Sequence, residues 1–160
     1  MESFSKFFTF EEFTDSKDHP ELVAQNRIEA KQYLLAGKRL SKLLESIRHI
    51  LGDKPLTVSS GFRNEALNKA VGSRQDGKEG RKLSNHCKFE ACDIISQMPI
   101  KEAFNALINA HRGGLLPDLR KCIIEQIGSR KWLHVEQAMK VGDYIGFLTT
   151  SNGVNYTKVA

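Results

Sequence analysis

The sequence predicts an α+β fold in which an antiparallel sheet is packed with helices. Three observations support this. Between residues 27 and 51 the apolar side chains Ala30, Tyr33, Leu34, Leu40, Leu43, Leu44, Ile47, Ile50 and Leu51 recur at steps of three and four, the spacing of one face of an α-helix. Residues 56–59, 91–95, 121–125 and 132–136 are short runs of strand length, set off by turn-forming or polar residues. The last two of these runs are joined by residues 126–131 as a hairpin, and Asn152-Gly153 signals a second. A chain of 160 residues with 40% hydrophobic content has the size of one domain, here 1–160, and enough apolar side chains for a real core.

In chain order, Thr9 and Glu12 have the spacing of a capping box, so a short helix begins there. The phenylalanines around them are core anchors. Residues 14–26 are polar, contain His19-Pro20 and read as a loop with a solvated histidine. The helix of 27–51 follows, interrupted at Gly37 and ended by Gly52. Its Arg39, Lys42, Arg48 and His49 belong to a solvated face. Strand 56–59 ends in the turn Ser60-Gly61, and a helix capped by Asn64 runs to Val71. Arg63 stands at that strand-to-helix junction, a usual place for a side chain that touches substrate. Residues 72–83 are Gly-rich and basic and form a lid or rim. They lack the Gly-Lys-Ser/Thr ending of a phosphate-binding loop. Pro99 opens another helix, with Ile100, Ala103, Phe104, Leu107 and Ile108 on one face. His111 lies at its end, in a capping role. Residues 143–151 and 154–159 form the closing hairpin.

The chemistry concentrates in three residues. His86 and Asp93 lie seven apart, and His134 follows far downstream. Two histidines and a carboxylate suit a catalytic zinc site, which takes three protein ligands and leaves a position open. On a continuous helix His86 and Asp93 would be separated by about 10 Å along the axis. Ligand atoms each lie about 2 Å from a zinc ion. The chain must therefore bend between His86 and Ala91, with Asp93 on the short strand that follows. Alternation puts Trp132, His134 and Glu136 on one face of their strand. Cys87 and Cys92 are soft enough to bind metal, but their apolar setting favours small buried residues. The single ligand set implies one Zn²⁺ per chain.

The stretch Ser84-x-His86-x-x-Phe89-x-Ala91-x-Asp93 resembles the Ser-x-His-x-x-Gly-x-Ala-x-Asp motif of the zinc D-Ala-D-Ala carboxypeptidases and their relatives. Those relatives include D-Ala-D-Ala dipeptidases, phage L-alanyl-D-glutamate endopeptidases and the hedgehog signalling domain, which shares the fold. Ser60-Gly61-Phe62-Arg63, with Leu67-Asn68 and Val71-Gly72, resembles the family's Ser-Gly-Tyr-Arg…Leu-Asn…Val-Gly block. Trp132-Leu133-His134-Val135 resembles its Trp-Val-His-Val block. The three blocks fall in the family's order between about Phe8 and His134. The resemblance implies a hedgehog/D-Ala-D-Ala peptidase-like zinc domain with His86, Asp93 and His134 as metal ligands. It implies that Arg63 holds a substrate carboxylate or polarises the scissile carbonyl, and it places Ser84 on the substrate side. Some relatives carry the general base three residues before the last histidine, where this chain has Lys131. Others carry a Glu six before it. Glu125 lies nine before His134, which fits the same Glu with a hairpin three residues longer. Glu125 is thus the expected base and Glu136 the alternative. Phe89 replaces the motif's Gly. If that Gly supplies a positive φ, either the bend is built differently here or the site is distorted.

The implied function is a zinc metallopeptidase acting on peptidoglycan stem peptides, as a D-Ala-D-Ala carboxypeptidase or an L-Ala-D-Glu endopeptidase, with a phage lytic enzyme as one form of it. The competing reading is a non-catalytic zinc-binding or virion-structural domain of the same fold. The net charge of +5 favours anionic partners. Nucleic acid rests on charge alone, without an aromatic-basic motif, and is not expected as a partner. No apolar run reaches membrane-spanning length, so membrane insertion is not expected either. The N-terminus lacks the pattern of a signal peptide, which points to synthesis in the cytoplasm and action at the cell wall. Three cysteines without framework spacing point to free thiols, and a monomer is expected.

Overall fold

The computed structural model describes residues 3–72, 84–153 and 155–160. Helices α1 (Phe10–Thr14), α2 (Val23–Ala30), α3 (Leu34–Ile50), α4 (Glu65–Ala70) and α5 (Ile100–Arg112) accompany a six-stranded sheet. Its strands are β1 (Leu56–Ser60), β2 (Ala91–Ser96), β3 (Leu119–Ile127), β4 (Arg130–Gln137), β5 (Gly146–Thr150) and β6 (Thr157–Lys158), in the order β1-β2-β4-β3-β5-β6. The mixed α+β class is as the sequence predicts. The wholly antiparallel sheet is corrected, because β5 pairs with β3 in parallel. The physical reason lies in the segment after β4. Ala138 N donates to Asp118 O and Ile145 N to Arg120 O, so the chain passes around the start of β3 before β5 begins.

Strand alternation divides the sheet into two unlike faces. Cys92 and Ile94 of β2, Leu133 and Val135 of β4, and Cys122 of β3 are buried in one cluster with Leu40, Leu43, Leu44 and Ile47 of α3 and Phe104 and Leu107 of α5. The intervening residues Asp93, His134, Glu136, Lys121 and Glu125 share the opposite face, because cross-strand partners project together. Cys87, Cys92 and Cys122 are buried, as expected for small apolar residues.

The helix read over 27–51 starts earlier and is broken elsewhere. It begins at Val23, passes through a 3-10 turn at Lys31–Tyr33 and resumes as α3. Gly37 does not interrupt it. Gly37 is buried within α3, where an added Cβ would stand 2.7 Å from Phe4 Cε2 and 3.0 Å from Phe89 Cε2 and Cζ. The glycine makes room for rings, not for a kink. Gly52 ends the helix with φ +84° as expected. The loop read over 14–26 shrinks for the same reason, since Pro20–Leu22 and α2 occupy its second half. The capping box is present: Thr9 accepts from Glu12 N, and Glu12 accepts from Thr9 N. The closing hairpin is shorter than read, β5 beginning at Gly146 and β6 at Thr157, and Val154 lies outside the described residues. The basic lid expected over residues 72–83 lies outside them from residue 73 onward. No helix among the described residues is long and apolar enough to cross a membrane.

Candidate metal centre

His86 is carried by a 3-10 turn, Asn85–Lys88, which closes on Phe89 in the left-handed conformation, φ 59° and ψ 28°. β2 follows at Ala91 with Asp93 on its site face. The bend is therefore built at the position of the motif's glycine, but by a phenylalanine. A left-handed non-glycine residue costs roughly 1–2 kcal/mol. Full burial of a Phe side chain is worth roughly 1.5–3 kcal/mol, which offsets it. The Phe89 ring meets Phe4, Phe13 and Phe62 at centroid distances of 5.7, 5.7 and 5.4 Å. Gln137 Nε2 also donates to Phe89 O at 3.0 Å, tying the bend to the end of β4.

Asp93 and His134 are direct cross-strand partners, so register alone sets them side by side. His134 Nδ1 is 3.0 Å from Asp93 Oδ1 and 3.2 Å from His86 Nε2, and His86 Nε2 is 3.5 Å from the same Asp93 oxygen. Ligand atoms about 2.0–2.1 Å from a tetrahedral zinc ion are about 3.3 Å apart. The triangle fits that ion in size and in donor chemistry, and these three buried residues form a group that can hold a metal. The outward nitrogens are also occupied. His86 Nδ1 meets Gly61 O at 2.7 Å, and His134 Nε2 meets Glu136 Oε1 at 3.0 Å.

The charges follow from this packing. Burial opposes ionisation of Asp93, but His86 and His134 outweigh it and hold the carboxyl well below its ordinary range. Burial also opposes charge on His134, yet its hydrogen bonds to Asp93 and Glu136 raise it to about 9. His86 is pushed down by burial and by the nearby Arg63. Glu136 is lowered to about 2, because His134 and Lys121 outweigh its burial.

The remaining expected residues surround this triangle. Arg63 is buried. Its Nη1 donates to Ser60 Oγ at 3.2 Å and lies 3.8 Å from Asp93 Oδ2, while Nε has no hydrogen-bond partner among the described residues. Burial lowers its pKa, opposed by Asp93 and, more weakly, by Glu125. Glu125 is half-buried, one strand over from Trp132, whose Nε1 donates to Glu125 Oε2 at 2.8 Å. Its carboxyl is raised by burial and lowered by His134. Glu136 lies on the other side of His134 along β4, 2.7 Å from Lys121 Nζ. Ser84 is half-buried at the start of the 3-10 turn, where its carbonyl accepts from Cys87 N at 2.9 Å. Lys131 is exposed at the hairpin.

Two contributors escape a reading of the sequence. Asn26 is buried in α2; its Nδ2 donates to Thr14 O and Phe62 O, and its Oδ1 accepts from Asn64 N. It thereby fixes the residues on both sides of Arg63. Its signal is position, since it shares the buried face of α2 with Ala30, four residues on. Lys121 reads as an ordinary strand lysine until register pairs it with Glu136.

The family model of Peptidase M15 matches residues 7–136, which takes in all three motif blocks and every residue of this centre. No curated protein matches the chain.

Proposed function

The chain belongs to the peptidase M15 family, and from that premise we propose that it is a zinc-dependent peptidase that hydrolyses a stem-peptide bond of bacterial peptidoglycan. The observation that carries this reading is the buried triangle of His86 Nε2, His134 Nδ1 and Asp93 Oδ1, with separations of 3.0 to 3.5 Å. When bound there, zinc supplies Lewis acidity, polarising a carbonyl and making water easier to deprotonate.

Glu125 takes a proton from the attacking water and returns it to the leaving amine. Trp132 holds one of its carboxylate oxygens and leaves the other to act. Burial raises Glu125, which brings its proton affinity closer to what transfer in both directions requires. Lys131, at the position where other relatives carry their acid, is an exposed cation and cannot serve. Arg63 steadies Asp93 through Nη1, 3.8 Å from Oδ2, and its planar guanidinium supplies paired donors for a substrate oxygen. The basic surface charge favours the anionic wall polymer.

The test is digestion of purified peptidoglycan with product identification by mass spectrometry. We expect new peptide termini, lost on chelation and restored by zinc. Glu125→Gln should keep zinc and lose about 10²-fold or more in turnover, the usual scale of general-base help. A zinc-loaded protein that releases no peptide would overturn the peptidase reading in favour of a non-catalytic zinc domain.

A further inference from the structure

We infer that Glu136, held in place by Lys121, is a positioning residue that selects the tautomer of His134 and so leaves Nδ1 free to hold the metal. This rests on the metal centre of the preceding reading, but not on catalysis. A neutral imidazole carries one N–H and one bare nitrogen, and only the bare one can be a ligand. Which nitrogen is bare depends on what the other one bonds. For His134, Nδ1 faces the triangle and Nε2 faces Glu136 Oε1 at 3.0 Å.

An ionised carboxylate can only accept, so Glu136 holds a proton at Nε2. Asp93 Oδ1, 3.0 Å from Nδ1, makes the same demand until that oxygen is a metal ligand, after which Nε2 is the nitrogen left with an acceptor. Two cations keep Glu136 ionised and immobile. Lys121 Nζ lies 2.7 Å from Oε1, the oxygen that His134 uses, and Arg120 Nε lies 3.9 Å from Oε2. Arg120 is itself 3.4 Å from Asp143. The strand register produces the arrangement, because Lys121 and Glu136 are cross-strand partners on the site face. Glu136 is only 3% exposed, so substrate does not reach it, and its Oε1 is committed to His134 and Lys121.

His86 is served the same way by a different acceptor. Its Nδ1 meets Gly61 O at 2.7 Å, leaving Nε2 for the triangle. That carbonyl is fixed as well, since the same peptide unit is held from its other end by Phe62 N donating to Phe13 O at 2.7 Å. Each histidine thus has an obligate acceptor behind it, one backbone and one carboxylate. Partners of this kind are typically worth 10- to 100-fold in metal affinity.

Zinc affinity is read by competition with a chromogenic chelator, and the tautomer by ¹⁵N NMR of the histidines in zinc-loaded protein. His134 should be protonated at Nε2 and bare at Nδ1. Glu136→Gln and Glu136→Ala should weaken zinc binding about 10- to 100-fold. Glu136→Gln should also move the Nε2–H resonance of zinc-loaded protein, because the charged acceptor of that proton is gone. Affinity within twofold of the native protein in a folded Glu136→Ala variant would overturn the inference. So would a proton on Nδ1 of native His134, a measurement that stands even if the variants do not fold. A native protein that binds no zinc would remove the metal centre itself, an outcome visible before any variant is made.

Discussion

Asp93 and His134 reach the candidate metal centre by sheet register, whereas His86 reaches it by a turn braced with aromatic rings. The first pair are neighbours on β2 and β4, in a ladder whose opposite face is packed against α3 and α5. Moving either would require slipping a strand, which would turn the whole apolar face outward. His86 has no such ladder. Its place depends on a left-handed Phe89, on rings from Phe4, Phe13 and Phe62, and on a glycine in α3 that makes room for the Phe4 and Phe89 rings. One half of the site is specified by a repeating pattern. The other is specified by a few particular side chains far apart in sequence.

The largest effect expected is loss of metal. His86→Ala and His134→Ala should each abolish stoichiometric zinc, measured on purified protein, while Cys87→Ser should retain it. The comparison then makes a finer statement. Replacing a residue of the aromatic brace should disturb the His86 half through folding stability, without touching a ligand.

Phe89→Ala should destabilise by about 3–5 kcal/mol, the range for emptying a buried aromatic site. Phe89→Gly should be less damaging than Phe89→Ala by about 1 kcal/mol, because only the alanine retains the left-handed strain. Urea unfolding of the two variants decides this. An alanine variant as stable as the glycine variant would show that the bend stores no strain at this position.

Gly37→Ala is smaller and more diagnostic. Overpacking against the rings costs about 1–3 kcal/mol, and the gain in helix propensity of about 1 kcal/mol offsets part of it. The net should be mildly destabilising. In the Phe89→Ala background two of the three close approaches vanish, so the same substitution should become neutral or stabilising. Additive effects would separate the glycine from the bend.

The same division explains what could be read from the sequence. The strand carrying Asp93 and the shared face of Trp132, His134 and Glu136 follow from spacing and alternation, which are local, while the ligand set is read from the residue types and the resemblance of the three motif blocks. The need for a bend before Ala91 follows from spacing too. That Phe89 could make this bend was not legible, because its compensation lies in Phe4, Gly37 and Phe62, which only the fold brings together. The parallel β5 was missed because Asn152-Gly153 reports its own hairpin and says nothing of which strand β5 joins. The preference for Glu125 over Glu136 rests, in the sequence, on the length of the hairpin alone. Both lie on the site face, and only register shows that Glu136 meets Lys121 while Glu125 meets Trp132.

The smallest effect is a shift in pH dependence, and it tests the strand-borne half. If Glu125 is the base, it must be ionised to accept a proton, so activity is present above its pKa and lost as pH falls through it. Burial raises that pKa above the ordinary Glu value, and His134 pulls it back. Bound zinc adds a positive charge that acts against the effect of burial, so the displacement of the kcat/KM acid limb is diagnostic and its absolute position is not. The Trp132 N–H also favours the ionised form, since it donates to Oε2 at 2.8 Å. Trp132→Phe keeps an aromatic ring but removes that donor. The carboxylate then loses a stabilising hydrogen bond, its pKa rises further, and the acid limb should move to higher pH, with zinc content unchanged. Above the limb the loss in rate should be modest, because the base is still present. An acid limb that stays in place in Trp132→Phe, in a folded and zinc-loaded protein, would detach it from Glu125 and leave the base unassigned.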